Sequence, residues 1–222
     1  NGKIKTIPPT LIGKTIWDYT DEDGQFEKSM ASLGDVILYV GRMYPHKHVE
    51  DVIEVFREVL KDNTNAVLVL VGGTHNSYQK YLKYKISRIE EKERERIIFM
   101  QQLSRNQLKA AYQAAKIFIT MSEDEGFCVP VLEAMNFHVP VLARQIETSA
   151  ATEILEKTGK IVCNKDFASI AAEINYLLHD AEYRQAIVSL QDERAKDFAD
   201  IKLSTNFVET LLGCYYDRKN FI

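Results

Sequence analysis

The chain has 222 residues, 45% of them hydrophobic, so it can bury a sizeable core and is not an intrinsically disordered protein. Its 28 basic and 32 acidic residues give a formal net charge of −4, which excludes the global basic field of a nucleic-acid-binding protein. Three widely spaced cysteines favour a reducing cytoplasm over a disulfide framework or a zinc knuckle, and no apolar run reaches the roughly 18 residues of a membrane span.

Residues 1–34 show little periodicity and contain prolines, glycines and an acidic cluster at 21–23. This composition predicts a connecting segment and not a domain of its own. Trp17 and Tyr19 are expected to pack the segment onto the body of the protein.

A regular alternation of apolar runs and amphipathic stretches begins at Val36. The apolar runs predict buried strands, and the stretches between them repeat apolar residues at helical spacing. Ser104 and Gln107 predict a capping box at one helix start. Strands are predicted at residues 36–40, 66–71, 96–100, 117–120, 139–143 and 160–163, and helices at 49–60, 77–95, 104–115, 130–135, 152–156, 166–179, 181–198 and 204–217.

Uninterrupted strands that alternate with helices predict a mostly parallel sheet covered on both faces, in a doubly wound, Rossmann-like α/β domain. Such sheets bind ligands at the carboxyl ends of their strands, near the switch in strand order. Gly41, Gly72, Gln101 and the loop around Glu125 all follow predicted strands. We therefore expect them to face one crevice.

The stretch from Thr120 to Met135, TMSEDEGFCVPVLEAM, predicts a strand, a tight loop and a helix. Pro130 suits the first turn of a helix, so the amides of Cys128 and Val129 are expected at the helix start. The positive end of the helix dipole would face the loop there, which predicts a phosphate-binding position.

Glu125 and Glu133 flank this position, with seven residues between them. Because like charges repel at short range, two acids beside a phosphate are expected to bind hydroxyl groups instead. The alternative is that both glutamates only complement the helix dipole, as exposed glutamates at helix starts often do.

A pair of cations follows the first predicted strand, in the sequence GRMYPHK. Arg42 can hold a phosphate by its planar fork, and Lys47 can hold one as a point charge. Each alone is compatible with an ordinary surface cation. Together, at the expected ligand end of the sheet, they predict a diphosphate site.

Several segments resemble the carboxy-terminal domain of the GT-B glycosyltransferases, in particular their large retaining family 4. The resemblance rests on GRMYPHK, IIFMQQLSRNQLKAAYQAAKIFIT, SEDEGFCVPVLEAMNFHVPVLA and TSAATEILEKTGKIV, in that order, and covers residues 36–178. That family has a pattern of Glu, seven residues and Glu (the EX7E motif), which Glu125 and Glu133 match.

The resemblance implies a role for each matching position. Arg42 and Lys47 would bind the diphosphate of a nucleotide sugar and stabilise the charge that develops as the glycosidic bond breaks. Glu133 would accept hydrogen bonds from the ribose hydroxyls, and Glu125, the third catalytic residue beside these cations, would hold hydroxyls of the transferred sugar. Backbone groups would contact the distal phosphate at Gly126, Phe127, Cys128 and Val129, and the base at Gln101, Gln102 and Leu103. No metal or other cofactor is expected, because the cations take its place.

The chain departs from the family pattern at several positions. Cys128 stands where the family usually has Gly, and is expected to be a small, partly buried thiol and not a nucleophile. His48 replaces a frequent Gly, and Gln101 and Gln102 stand where Gly is common, which leaves the base preference open. His46 and His48 suggest a metal, but without a carboxylate or third ligand nearby they are expected to be turn residues.

GT-B enzymes have two such domains, and the resemblance covers the second. Residues 1–34 are expected to hold the interdomain connection, 35–200 the nucleotide-sugar-binding domain, and 201–222 a terminal helix that returns towards the missing amino-terminal domain. The apolar face of that helix would be an interdomain surface, at Phe207, Leu211 and Tyr215. We thus expect a fragment that binds nucleotide and turns over poorly alone.

The leading interpretation is a hexosyltransferase of polysaccharide biosynthesis, cytoplasmic or peripheral at the inner face of the membrane. It would move a sugar, with retention, from a nucleotide diphosphate sugar to a hydroxyl of an acceptor glycan or a lipid-linked sugar. A non-catalytic GT-B-like nucleotide-binding or partner module is the second interpretation. A non-catalytic module would have no physical reason to keep all four charged residues, Arg42, Lys47, Glu125 and Glu133. A sugar phosphorylase or epimerase is the third, and the cofactor lysine of such phosphorylases is not found.

Overall fold

The computed structural model describes residues 25–74, 76–101, 103–144, 146, 150–155, 158, 160–162 and 166–198. Several predictions lie outside these residues: the packing of Trp17 and Tyr19, the position of Gln102, and the helix at 204–217.

Six strands form one parallel sheet. They are β1 (Asp35–Val40), β2 (Ala66–Val71), β3 (Ile97–Met100), β4 (Ala115–Thr120), β5 (Val141–Arg144) and β6 (Lys160–Val162). Their order across the sheet is β3-β2-β1-β4-β5-β6, and every neighbouring pair is parallel. The predicted doubly wound α/β fold is therefore confirmed.

Helices connect the strands and cover both faces of the sheet. They are α1 (Gln25–Ala31), α2 (Val49–Leu60), α3 (Asn76–Ser87), α4 (Glu91–Arg94), α5 (Arg105–Ala114), α6 (Val129–Asn136), α7 (Ala150–Ile154), α8 (Phe167–His179) and α9 (Ala181–Ala195). Short 3-10 helices span Pro45–Lys47 and Lys196–Phe198.

The core has two halves because successive side chains of a strand point to opposite faces of the sheet. Ile37 and Tyr39 of β1 pack into the half that contains α2, α3 and α8. Val36 and Leu38 pack into the half that contains α5, α6 and α7. All four side chains are at most 2% exposed. A central strand that is buried on both faces explains why residues 36–40 are uniformly apolar.

The chain reverses its direction across the sheet at β1. It first builds outward from β1 through β2 to β3, and α5 then carries it back to place β4 on the other side of β1. The switch in strand order therefore lies between β1 and β4. In a doubly wound sheet this is where a crevice opens at the carboxyl ends.

One predicted helix is wrong in its length. The apolar spacing predicts a single helix over residues 77–95, but the structure has two helices, α3 and α4, with a turn between them. The amide of Ile89 donates to Ile86 O, and Glu90 is extended, with φ −55° and ψ 143°. Ile89 still fits the helical spacing and is buried, which is why the pattern does not reveal the turn.

The helix α1 lies within the segment predicted to connect domains. It packs against α5, and its Met30 is 2% exposed. The capping box of α5 is confirmed: Ser104 Oγ accepts from the Gln107 amide, and Gln107 Oε1 accepts from the Ser104 amide. Within the described part of the chain, the helices are all too short or too polar to span a bilayer.

Candidate functional site

Two loops meet at the switch in strand order. The first runs from Gly41 to His48 after β1, and the second from Met121 to Cys128 after β4. Their backbones are joined by a hydrogen bond of 2.9 Å from the Glu123 amide to His46 O. Because β1 and β4 are neighbours, side chains of both loops face the same crevice.

The loop after β1 is held against the loop after β2. The amide of Met43 donates to Gly73 O over 2.8 Å, and the Met43 side chain is buried. Gly72 has φ 140°, and a Cβ added there would lie 2.0 Å from Gly41 O. Only glycine permits this approach, which fixes the start of the loop that carries the two cations.

Lys47 reaches across the crevice to the second loop. Its Nζ lies 2.7 Å from Glu125 Oε2 and donates to Asp124 O over 2.9 Å. Both side chains of the pair are mostly buried, at 16% and 15% exposure. The structure thus brings together two residues that are 78 positions apart and that the sequence analysis placed in one site.

Arg42 is exposed on the same loop and forms no hydrogen bond or ion pair with the residues that the structure describes. Arg42 and Lys47 therefore lie on the same loop, as predicted, but the structure shows no contact between their side chains.

Cys128 occupies the start of α6. It is the N-cap residue, with φ 52° and ψ 54°, and Pro130 follows in the first turn, so the predicted helix start is confirmed. A left-handed conformation costs a residue with a Cβ about 1–2 kcal/mol. Burial, and then the nearby charge of Glu125, raises the pKa of the Cys128 thiol. The thiol is therefore protonated at neutral pH, as expected of an inert cysteine.

Glu133 lies one turn into α6 and is half-buried. Its Oε2 accepts a hydrogen bond of 2.7 Å from the Tyr112 hydroxyl, which α5 supplies. The Tyr112 ring stacks on Phe137, with 5.3 Å between centroids. Burial raises the pKa of Glu133, and the bond from Tyr112 partly offsets this. One Oε2 lone pair is thus committed to the protein, and the remaining carboxylate lone pairs can serve a ligand.

The positions predicted to lie near a base are less closely associated with the crevice. Gln101 is exposed at the end of β3, the edge strand, and Leu103 packs against the core half that contains α5. Strands are spaced by about 4.8 Å, so β3 lies roughly 10 Å from β1 across the sheet. Gly126 and Val129, predicted to contact the distal phosphate, lie in the loop after β4 and at the first position of α6. Phe127 lies between them in the chain, and its ring contacts the Phe198 ring edge-on.

His48 links the two loops through its ring, a contact that the sequence analysis missed. It has φ 45° and ψ 47° and caps α2. Its Nε2 lies 3.0 Å from Glu123 Oε1, and its Nδ1 lies 3.3 Å from Glu50 Oε1 and 3.7 Å from Asp51 Oδ2. The expectation that no carboxylate lies near this histidine is therefore wrong. The ligand atoms of His48, Glu50 and Asp51 all lie within 4.8 Å of one another.

Two tyrosines also belong to the site and were missed. Tyr39 of β1 is buried, and burial together with the charge of Glu125 raises its pKa. Tyr78 of α3 bonds to Glu50 and accepts from the Val49 amide over 3.1 Å. For Tyr39 the sequence signal is a tyrosine inside a buried apolar run, because its hydroxyl needs a partner. Tyr78 lies in a polar stretch and gives no such signal.

The chain matches one protein family over most of its length. Residues 22–192 match the family described as glycosyl transferases group 1. The O-antigen chain mannosyltransferase B of Escherichia coli is 26% identical over 163 residues, which are 73% of this chain and 42% of that protein. The chain spans less than half the length of the curated relatives it matches.

Solved structures share the fold. The carboxy-terminal domain of a glycosyl transferase group 1 family protein (LpcC) from Francisella tularensis has a TM-score of 0.68 and 23% identity, over 83% of this chain and 97% of that one. HepE of Anabaena, in complex with UDP and glucose, has a TM-score of 0.72 and 21% identity, over 90% of this chain and 55% of that one. Because the family match extends over residues 22–192, this chain belongs to the group 1 glycosyl transferases.

Proposed function

We propose that this chain is the donor-binding half of a retaining GT-B glycosyltransferase. The observation that carries the proposal is the Lys47–Glu125 pair at the switch in strand order. A cation for a diphosphate and a carboxylate for sugar hydroxyls lie side by side, at the place where doubly wound sheets bind ligands. The seven-residue spacing to Glu133 on α6 supports retaining family 4 in particular.

The donor diphosphate would lie between the cations and the start of α6. The ammonium of Lys47 has three N–H donors, of which Glu125 and Asp124 O take two. The third can bind a phosphate oxygen without breaking the ion pair. Arg42 would approach from the exposed side, and the amides of Cys128 and Val129 would contact the distal phosphate at the positive end of the helix dipole.

The nucleoside and the sugar would lie on opposite sides of the diphosphate. HepE was crystallised with UDP and glucose, which supports a nucleotide sugar as the donor here. Glu133 would accept hydrogen bonds from the ribose hydroxyls, with Tyr112 holding its other oxygen in place. The base would lie towards Gln101 and Leu103.

Transfer would break the bond between the anomeric carbon and a diphosphate oxygen. The acceptor oxygen would form the new bond on the same face, and its proton would pass to the departing diphosphate oxygen. Lys47 and Arg42 would stabilise the negative charge left on the diphosphate, and Glu125 would orient the sugar through its hydroxyls. The cations supply this charge stabilisation, so the proposal requires no metal.

The acceptor would be a glycan or a lipid-linked sugar. The name of the mannosyltransferase from Escherichia coli supports a role in polysaccharide biosynthesis. An amino-terminal domain would supply most of the acceptor site, so the chain alone would bind the donor and turn over poorly.

The proposal is tested by titrating UDP, GDP and ADP into the protein by calorimetry. Arg42→Ala and Glu133→Ala are each expected to weaken binding of the preferred nucleotide by about tenfold, the size of one lost charge-assisted hydrogen bond. Unchanged binding in both variants, or no binding of any nucleotide by the wild-type protein, would contradict the proposal.

A further inference from the structure

His48 adopts a backbone conformation that glycine would adopt without strain. Its φ of 45° and ψ of 47° lie in the left-handed region, which is unfavourable for a residue with a Cβ. Its ring is mostly buried, with 17% of the side chain exposed. The strained backbone therefore places an imidazole at the junction of the two loops.

The imidazole contacts carboxylates on both sides. Nε2 lies 3.0 Å from Glu123 Oε1 of the second loop, at ion-pair distance but outside hydrogen-bond geometry, while Nδ1 lies 3.3 Å from Glu50 Oε1 and 3.7 Å from Asp51 Oδ2 in the first turn of α2. Glu123 continues the chain of contacts, since its Oε1 also lies 3.2 Å from Arg144 Nη1 at the end of β5. The ring thus connects α2 to the loop after β4.

The functional pair lies within two residues of this contact. Lys47 precedes His48 directly, and Glu125 follows Glu123 by two residues. Apart from the Lys47 contacts, the loops are joined by the backbone bond from Glu123 to His46 O and by a long bond of 3.4 Å from Ser122 Oγ to the same oxygen. Both bonds end on one atom, so together they give the loops a single point of attachment. The His48 ring adds a further point of attachment, beside the contacts of Lys47.

We infer that His48 is a positioning residue, which fixes the loop that bears Lys47 relative to the loop that bears Glu125. This inference rests on the proposed function, because the pair it positions is the proposed diphosphate and sugar site. Its action is indirect, through the distance between Lys47 Nζ and the diphosphate.

The chain contains a matched control for this residue. His138 also has a left-handed backbone, with φ 58°, and its Nδ1 contacts Asp192 at 2.9 Å. It follows α6 on the side away from the helix start. His138→Gly therefore relieves the same strain and removes the same kind of contact without touching the two loops.

The test measures UDP and UMP binding by calorimetry, in EDTA so that a metal at His48, Glu50 and Asp51 does not contribute. UDP stands for whichever diphosphate the wild-type protein binds best, and UMP for its monophosphate. His48→Gly is expected to weaken diphosphate binding about tenfold and to leave monophosphate binding within about twofold. His48→Gln keeps a Cβ and a hydrogen-bonding side chain at this position, and is expected to restore most of the affinity.

A double-mutant cycle tests whether Glu123 is the partner through which His48 acts. Glu123→Gln is expected to weaken diphosphate binding to a similar extent, and the His48→Gly, Glu123→Gln double variant to be no weaker than either single variant. His138→Gly is expected to bind both nucleotides like the wild-type protein.

Three results would overturn the role of His48 and leave the proposed function standing. They are full diphosphate affinity in His48→Gly, an equal loss of affinity for UDP and UMP in that variant, or additive losses of affinity in the double-mutant cycle. A wild-type protein that binds no nucleoside diphosphate would overturn the proposed function first, and the inference with it.

Discussion

Lys47 Nζ lies 2.7 Å from Glu125 Oε2, across the crevice between the loops after β1 and β4. Both partners are mostly buried, so the pair is shielded from solvent and holds one geometry better than a surface ion pair does. The proposed diphosphate therefore meets a cation whose position is already set, and a carboxylate whose charge opposes it.

The two members of this pair are predicted to have opposite effects on nucleotide binding. Lys47→Ala removes the attraction and should weaken diphosphate binding by about 10- to 100-fold, the size of a charge-assisted hydrogen bond. Glu125→Gln removes the repulsion and frees the ammonium, so binding should be unchanged or a few-fold tighter. Calorimetry measures both.

The matched control is Lys61→Ala. Lys61 follows the carboxyl end of α2, and its Nζ lies 2.6 Å from Glu58 Oε2. The variant therefore loses a lysine–glutamate ion pair far from the crevice. It should bind nucleotide like the wild-type protein. If Glu125→Gln weakens binding as much as Lys47→Ala does, the two residues do not have the separate roles proposed.

The meeting of Lys47 and Glu125 could be predicted because both follow buried strands. Parallel strands end at one edge, so residues after them face a common crevice whatever the exact order of strands. The helix start at Cys128 was predictable for a similarly local reason, the proline two positions later.

Other features of the site depend on packing that a sequence does not show. Tyr112 has the pattern of an ordinary core residue of α5, and only its position beside α6 brings its hydroxyl to Glu133. The contact of His48 with Glu123 joins residues 75 positions apart through a left-handed backbone. No periodicity indicates either contact. The turn between α3 and α4 was hidden because Ile89 satisfies the helical period and the core at once.

Tyr112→Phe is predicted to destabilise the protein by about 1–3 kcal/mol, because it leaves a half-buried carboxylate oxygen without its donor. The pKa of Glu133 should rise further, since the lost bond is what lowers it. Urea unfolding measures the first effect, and carboxyl titration by NMR the second. Tyr81→Phe, on an exposed tyrosine of α3, is the control and should change stability by less than about 0.5 kcal/mol.

Glu133 also predicts a direction for the pH dependence of stability. Burial raises its pKa above the ordinary value of 4.5 in the folded state, so the folded protein binds more protons than the unfolded chain between the two pKa values. Its contribution to the free energy of unfolding therefore falls as pH rises through that window. Glu133→Gln removes the titration.

The measurement compares urea unfolding of wild type and Glu133→Gln at pH 4.5 and pH 7. The variant should gain stability relative to wild type as pH rises. A difference that is constant over this range, or a variant that loses stability relative to wild type as pH rises, would show that Glu133 is not held in a desolvated position.

Cys128 is predicted to be unreactive in the folded protein. Burial and the charge of Glu125 raise the pKa of its thiol, and the thiolate is the reactive form. In a Cys163→Ser, Cys214→Ser background, its reaction with DTNB at pH 8 should be at least about 100-fold slower when folded than in urea. Rapid labelling of the folded protein would mean that the start of α6 opens readily.

Gly72 and Gly73 give the sharpest test of how the loops after β1 and β2 are fixed. A Cβ at Gly72 would lie 2.0 Å from Gly41 O, and its φ of 140° is unfavourable for alanine, whereas nothing lies within 4 Å of a Cβ at Gly73. Gly72→Ala should therefore destabilise the protein by more than about 3 kcal/mol, and Gly73→Ala should stay within about 1 kcal/mol of wild type. Urea unfolding of both variants gives the comparison.

Because the clash at Gly72 lies beside the base of the loop that carries Arg42 and Lys47, any Gly72→Ala protein that still folds should also bind nucleoside diphosphate more weakly. Equal stability of the two variants would show that the close approach of the loops does not hold the site in place.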